Sequence, residues 1–221
     1  MRESPTDRTL VHRHPERGVY DRAAIDAILD EALICHVAWV TTKGEPRVIP
    51  TIHVRVGDTL YIHGSQASRT LRAARTDIPL CIESTIVDGI VLARSTPKHS
   101  MNYRSVVVFG TAREVTDPEE MDLAQRALVE HVVAGRTADA RMPNDGDLKE
   151  TAILAVALHE VSAKVRTGGP IDSAADLELP VWAGVIPLHL GAGEPEPAAD
   201  LPEGVEVPEY ARNYRRGSPT V

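Results

Sequence analysis

Three short apolar segments joined by glycine-containing turns, between Ile34 and Gly64, constrain this chain more than any other feature. The segments are ICHVAWVTT, RVIPTIHVRV and TLYIHG, and the turns that join them are TKGEP and VGD. Connections this short join antiparallel strands, because a parallel connection needs a dozen or more residues. The pattern therefore predicts an antiparallel meander. Pro50 lies within the second segment, and we expect an edge or a bulge there because proline has no N–H to donate to a ladder.

The remaining pattern adds a few helices to a mainly β chain. Asp21 and Asp117 are N-cap residues before apolar residues at helical spacing, and the segment Ser65–Asp77 predicts a further short helix. The helix that begins at Pro118 has a predicted inner stripe of Leu123, Ala124, Ala127, Leu128 and Val132. Later strand-like segments are PLCIES, TIVDGIVLAR, YRSVVVFGTAREV, ILAVALHEVSAKVRTG and VWAGVIPL. Roughly seven strands in antiparallel runs predict a mainly β (α+β) fold, with a barrel or sandwich and peripheral helices.

Composition divides the chain into three parts. We expect an N-terminal arm (residues 1–18), a folded domain (19–190) and a C-terminal tail (191–221) that is rich in Pro, Glu and Gly. Such a tail buries too little apolar surface to offset chain entropy, so we expect it to be flexible or draped over the domain. The chain is 43% hydrophobic but only 4% aromatic, which predicts a core of mainly aliphatic side chains.

Charge and cysteine content exclude several classes of protein. The formal net charge is −8, which argues against a nucleic-acid partner because a phosphate-tracking surface needs clustered Lys and Arg. No apolar run reaches the ~18 residues that span a bilayer, and the polar N-terminus shows no signal peptide. We therefore expect no membrane partner and a cytoplasmic location. Cys35 and Cys81 have neither disulfide-framework nor metal-ligand spacing, and no metal site is expected.

The segment HGSQASRTL is the strongest local signal of function. His63 closes a predicted strand, and a predicted helix begins directly after it. A helix N-terminus exposes unpaired N–H groups and a partial positive charge, so hydroxyl and guanidinium groups placed there favour a bound phosphate. The donors in question are Ser65, Ser68, Arg69 and Thr70, with Arg47 on the preceding strand. The alternative is an ordinary capped helix with a solvated arginine.

The order of the segments carries a family resemblance. ICHVAWVTTKGEPRVIP, TLYIHG, SQASRTLRAARTDIPLCIE, HSMNYRSVVVFGTAREV and PVWAGVIPL together resemble the pyridoxamine 5′-phosphate oxidase-like flavin-binding superfamily, and within it the nitroimidazole-resistance-type branch. The resemblance covers residues 17–190. It implies an antiparallel split β-barrel, FMN as the cofactor and a homodimer with the cofactor at the subunit interface. The C-terminal substrate segment of the oxidases is not recognisable in YARNYRRGSPTV, so we do not expect oxidation of vitamin B6.

The resemblance also implies the roles of particular residues. His63 matches a histidine that lies near the flavin in related proteins, and it is the candidate catalytic residue. Tyr103 and Arg104 would approach the site or the dimer contact, and Trp182 would lie near the flavin of the other subunit. The residues implied to hold the cofactor are Arg47, Val48, Ile49, Pro50, His63, Gly64, Ser65, Ser68, Arg69, Thr70, Tyr103, Arg104 and Trp182.

These expectations favour an FMN-dependent oxidoreductase that moves electrons between a nicotinamide or similar donor and a small molecule. One alternative is a module of the same fold that holds flavin, deazaflavin or haem with little turnover. Haem would need an axial ligand, for which the sequence offers His63, His99 or His189. The other alternative is a nitroimidazole-type reductase in which His63 donates a proton or polarises the acceptor.

Overall fold

The computed structural model describes residues 6–66 and 78–215. The helix predicted at Ser65–Asp77 lies outside these residues, apart from Ser65 and Gln66, and so do the candidate site residues Ser68, Arg69 and Thr70. The described residues form ten strands and four α-helices. The strands are β1 (Gly18–Val19), β2 (Ile34–Val40), β3 (Pro46–Val56), β4 (Thr59–Ser65), β5 (Leu80–Leu92), β6 (Ser100–Gly110), β7 (Ala112–Glu114), β8 (Thr151–Ala157), β9 (Glu160–Arg166) and β10 (Gly184–Pro187). The helices are α1 (Arg22–Glu31), α2 (Pro118–Val132), α3 (Asp145–Glu150) and α4 (Glu209–Arg212).

The strands form an antiparallel split β-barrel with peripheral helices, which confirms the predicted fold class. Among the described residues every strand pairing is antiparallel, in the order β1-β9-β6-β5-β2-β3-β4-β8-β7, with β10 beside β5. The predicted meander is β2, β3 and β4. Its two turns contain Gly44 (φ 79°) and Gly57 (φ 57°), in the left-handed region where glycine has no Cβ to clash.

Alternation along the strands produces two apolar layers. Leu60 and Ile62 of β4 point into the barrel, whereas Tyr61 between them points to the outer face. Helix α1 packs Ile25, Ile28 and Leu29 against the barrel interior, and its first turn is capped by Asp21, which accepts a hydrogen bond from the Ala24 N–H at 3.0 Å. The outer layer is covered by α2, whose Ala124 and Leu128 pack against Val54, Tyr61, Ile153 and Ala155.

The structure corrects one residue of the predicted helical stripe. Leu123 of α2 is 48% exposed, so its assignment to the inner face was wrong. The buried face instead consists of Ala124 and Leu128, with Met121 and Ala127 partly buried beside them. Met121, Ala124 and Leu128 follow one another at spacings of three and four residues and form one face, and Leu123 lies outside that face.

Two predicted strand boundaries also differ. The segment ILAVALHEVSAKVRTG is not one strand, because the chain turns at Leu158–His159 and passes from β8, which pairs with β4, to β9, which pairs with β6. The Leu158 N–H donates to the Asp58 carbonyl at 2.9 Å and holds this corner. Conversely, PLCIES and TIVDGIVLAR form the single strand β5, which contains a register shift between Val87 and Gly89.

Both terminal segments contact the folded domain. The arm lies along β9, where the Thr6 hydroxyl donates to the Glu160 carboxylate at 3.0 Å. After β10 the chain runs without further strands to α4, which lies against the loop that follows α2. The part of the chain that the structure describes contains no helix that is long and apolar enough to cross a membrane.

Candidate functional site

An opening in the barrel lies where β3 and β4 separate. Within the described residues, β4 pairs with β3 from Thr59 to Ile62, whereas the first half of β3, Pro46–Ile52, pairs with β2. At the point of separation the Thr51 hydroxyl donates to the His63 carbonyl at 3.3 Å. The candidate residues on β3 (47–50) and on β4 (63–65) therefore line the two walls of one opening.

The β3 wall of this opening is an exposed strand edge. Val48 is 61% exposed, and Arg47 and Pro50 are exposed as well, whereas Ile49 packs against the core. The Arg47 guanidinium donates to the Glu45 carboxylate at 2.6 Å. The edge that faces away from β2 has no ladder partner in the described chain, and Pro50 suits it because proline lacks the N–H that a paired edge would use.

The candidate residues Tyr103, Arg104 and Trp182 lie away from β3 and β4. The Arg104 guanidinium on β6 donates to Asp88 at 2.7 Å and to Glu31 at 2.8 Å, so two carboxylates occupy its donors. Tyr103 lies beside it, opposite Val87 in the ladder with β5. Trp182 precedes β10 and is 66% exposed. Its ring lies close to Gly184, where an added Cβ would be 2.9 Å from the ring carbons.

A cavity of about 290 Å³ lies between β3, β4 and α2. Its walls are mainly apolar, and the residues that line it are Ile52, His63, Gln125, Leu128, Val129, Val132, Val133 and Arg136. The Nδ1 atom of His63 is buried and has no hydrogen-bond partner in the described chain. Burial lowers the pKa of His63 below the ordinary histidine value, so the imidazole is neutral at neutral pH. A neutral imidazole in an apolar cavity can bind a metal ion or a ligand that offers a hydrogen bond.

A pair of histidines joins β3 and α2 to the end of α1. The rings of His53 and His131 have centroids 5.4 Å apart. Nε2 of His53 lies 3.0 Å from the Leu29 carbonyl, and Nε2 of His131 lies 2.9 Å from the Ala32 carbonyl. These contacts connect both cavity-forming elements to one helix end.

The sequence analysis names His63, which lines the cavity, as a candidate residue but does not name the residues that face it there. The predicted inner stripe of α2 includes Leu128 and Val132, and the cavity is also lined by Val129 and Val133, which are four residues apart beside that stripe. The spacing of four residues between Val129 and Val133 was the available signal. Arg136 had no local signal, because only the packing of α2 brings it to the cavity.

Comparison with known proteins agrees with this architecture. The family model described as pyridoxamine 5′-phosphate oxidase matches residues 21–165. The structure of the flavocytochrome Anf3 from Azotobacter vinelandii is 35% identical with a TM-score of 0.89, covering 97% of this chain and 100% of that one. The structure of the FAD and heme binding protein from Mycobacterium smegmatis is also 35% identical, with a TM-score of 0.84 and coverage of 89% and 96%. A search of curated proteins found no match.

A protein described as a 5-nitroimidazole antibiotic resistance protein from Bacteroides thetaiotaomicron shares the fold. It is 23% identical with a TM-score of 0.56, covering 67% of this chain and 86% of that one. Its identity and coverage are lower than those of the two proteins named for flavin and haem. The family matched over residues 21–165 is the one that the ordered segments resembled, and the solved neighbours include flavin-binding proteins. The chain belongs to the pyridoxamine 5′-phosphate oxidase family.

Proposed function

We propose that this protein binds a flavin in the opening between β3 and β4 and acts as a redox protein. The observation that carries the proposal is the edge of β3 at residues 47–50, which has no ladder partner among the described residues and faces β4 residues 63–65 across the opening. A strand edge offers backbone N–H and C=O groups to the polar rim of a flavin ring, and exposed Val48 offers apolar contact. A bound flavin supplies the capacity to accept and donate electrons, while the protein holds and orients it.

The flavin part common to FMN and FAD is the ligand that these residues fit. Family resemblance implied FMN, whereas the 35%-identical Mycobacterium smegmatis protein is named for FAD. We propose a nicotinamide or similar compound as electron donor and a homodimer that closes the open side of the site. Val40, Val48 and Trp182 are exposed apolar side chains that a second copy would bury if it closed the site from this side.

The flavin proposal is tested on the purified full chain. We expect flavin absorption after purification or after addition of FMN or FAD, and mass spectrometry of the released cofactor identifies which flavin is bound. Val48→Asp places a charge on the β3 edge and should weaken flavin binding, whereas the matched change Leu123→Asp on the exposed flank of α2 should not. A colourless protein that takes up neither flavin would refute the proposal.

Haem binding in the cavity is a second candidate function. Two observations favour it: both 35%-identical structures are named for haem or as a flavocytochrome, and the cavity presents the buried, unpartnered Nδ1 of His63 among apolar walls. Of the three histidines considered as axial ligands, His63 lines the cavity, whereas His99 and His189 are exposed. The imidazole would ligate the iron, and the aliphatic side chains of β3 and α2 would contact the porphyrin. Bound haem would supply one-electron transfer.

The axial role of His63 is separable from a role in nitro-group reduction. His63→Ala should abolish the Soret band of added haem and leave flavin absorption intact, whereas His99→Ala should retain both. If His63→Ala retains haem but reduces a nitroimidazole more slowly, the histidine acts instead as a proton donor. Full haem binding by His63→Ala contradicts the placement of haem in this cavity.

A further inference from the structure

The C-terminal segment contacts the same loop that contributes Arg136 to the cavity. The ring of Tyr210, on α4, packs over Gly135, where a Cβ would lie 3.5 Å from the ring carbon Cδ1. The Tyr210 hydroxyl donates to the Asp139 carboxylate at 2.7 Å and accepts a hydrogen bond from the Arg136 guanidinium at 2.7 Å. Tyr210 thus connects the segment after β10 directly to a residue that lines the cavity.

The backbone of this loop is held independently of Tyr210. The Glu130 carboxylate on α2 accepts hydrogen bonds from the Thr137 N–H at 2.9 Å, from the Gly135 N–H and from the Thr137 hydroxyl. These contacts fix the loop on either side of Arg136. Loss of Tyr210 should therefore release the Arg136 side chain while the loop keeps its position.

Among the described residues no carboxylate forms an ion pair with the Arg136 guanidinium, and Asp139, which the Tyr210 hydroxyl joins to it, acts on its charge from farther away. None of the ion pairs of residues 6–66 and 78–215 includes Arg136. One donor goes to Tyr210, and a guanidinium has five N–H donors in a planar fork that matches a carboxylate. Arg136 is exposed and also lines the cavity, so it lies at the open side of an apolar space.

We propose that Tyr210 is a positioning residue that holds Arg136 at the open side of the cavity, where the guanidinium pairs with a carboxylate of an otherwise apolar ligand. The inference rests on the haem-binding function proposed above, because haem is an apolar macrocycle with carboxylate side chains. In this arrangement the C-terminal segment acts on the cavity through Arg136. Ligand binding and docking of the segment then stabilise each other, since linkage between two binding events is reciprocal.

The test compares haem with its dimethyl ester, which has the same ring and iron but no carboxylates. Both are titrated by Soret absorbance into the full-length protein and into Arg136→Gln, Tyr210→Phe and the control Tyr214→Phe, which alters another tyrosine of the same segment. We expect Arg136→Gln to weaken binding of haem about tenfold, because it removes a charge-assisted hydrogen bond, and to leave the ester unchanged. Tyr210→Phe should weaken the binding of haem about threefold and leave the binding of the ester unchanged, because it frees the arginine without removing it. Tyr214→Phe should change neither ligand.

Limited trypsin digestion provides a second readout. Haem should slow cleavage of the C-terminal segment in the unmodified protein but not in Tyr210→Phe, whereas the ester should slow it in neither. The positioning role is overturned if Tyr210→Phe loses affinity equally for haem and ester, or if neither Arg136→Gln nor Tyr210→Phe loses affinity for haem. Haem binding itself is unaffected by either result. Failure of the unmodified protein to bind either porphyrin instead refutes the proposed haem function, and with it the inference.

Discussion

Removal of the Arg104 guanidinium should destabilise the barrel without altering the affinity for flavin. Arg104 on β6 joins Glu31 at the end of α1 to Asp88 near the register shift of β5. Its hydrogen bonds to Glu31 and to Asp88 raise the pKa of Arg104 above the ordinary arginine value, so the cation persists over the whole working pH range. Arg104→Gln leaves two neighbouring carboxylates without their shared cation.

The expected loss follows from the burial of this cluster. The side chains of Arg104, Glu31 and Asp88 are 19%, 20% and 22% exposed. Breaking a fully buried ion pair costs roughly 3–5 kcal/mol, and an exposed pair contributes below about 1 kcal/mol. Because this cluster is mostly buried, Arg104→Gln should lower the free energy of unfolding by about 3 kcal/mol. For a chain of this size each kcal/mol lowers the melting temperature by about 2–4 °C, which predicts a loss of about 6–12 °C.

The assay is urea unfolding followed by circular dichroism, together with flavin titration of each variant. Arg126→Gln is the control, because it removes only the exposed pair with Asp122 and should leave the urea midpoint nearly unchanged. A double variant that adds Asp88→Asn should recover part of the loss, since one uncompensated carboxylate is removed. A loss below about 1 kcal/mol together with flavin affinity weakened about tenfold would show that Arg104 serves the cofactor and not the fold.

Three further predictions concern the cavity, the loop and the core. Burial lowers the pKa of His63, so its contribution to stability is complete above the ordinary histidine value near pH 6.5 and is lost as pH falls through the lower folded value. The urea concentration at the unfolding midpoint should therefore decrease as the pH is lowered from about 7 to about 5, and it should decrease less in His63→Leu. An equal decrease in both proteins would contradict this. Gly135→Ala should cost about 1–2 kcal/mol in thermal unfolding because φ is 88°, whereas Gly191→Ala, which meets no neighbouring atom, should be neutral. Leu154→Ala should cost about 3 kcal/mol because the side chain is fully buried, and a loss below about 1 kcal/mol would contradict a close-packed core.

Local rules predicted much of this fold because they act within a few residues. The capping residues Asp21 and Asp117 start α1 and α2 where expected, and each accepts a hydrogen bond from the N–H three residues on. The turns at Gly44 and Gly57 place β2, β3 and β4 in sequence order. These interactions need no distant partner, so they can be read from adjacent residues.

Prediction failed where a choice between distant partners decides the structure. The apolar pattern continues through Leu158 because the strands on both sides of the corner are buried, and only pairing of β8 with β4 and of β9 with β6 reveals the turn. Leu123 has the spacing of a buried residue, but the seating of α2 on the sheet leaves it in solvent.

The sequence by itself determined the antiparallel meander of β2, β3 and β4, the two capped helices, the family and the position of His63 near the end of a strand. Only the tertiary structure decided what surrounds those residues. It placed His63 in a cavity closed by α2, brought Tyr210 to Arg136 and engaged the donors of Arg104 with two carboxylates. The physical reason is range: backbone conformation follows from neighbours along the chain, whereas burial and charge pairing depend on residues that packing brings together from far apart.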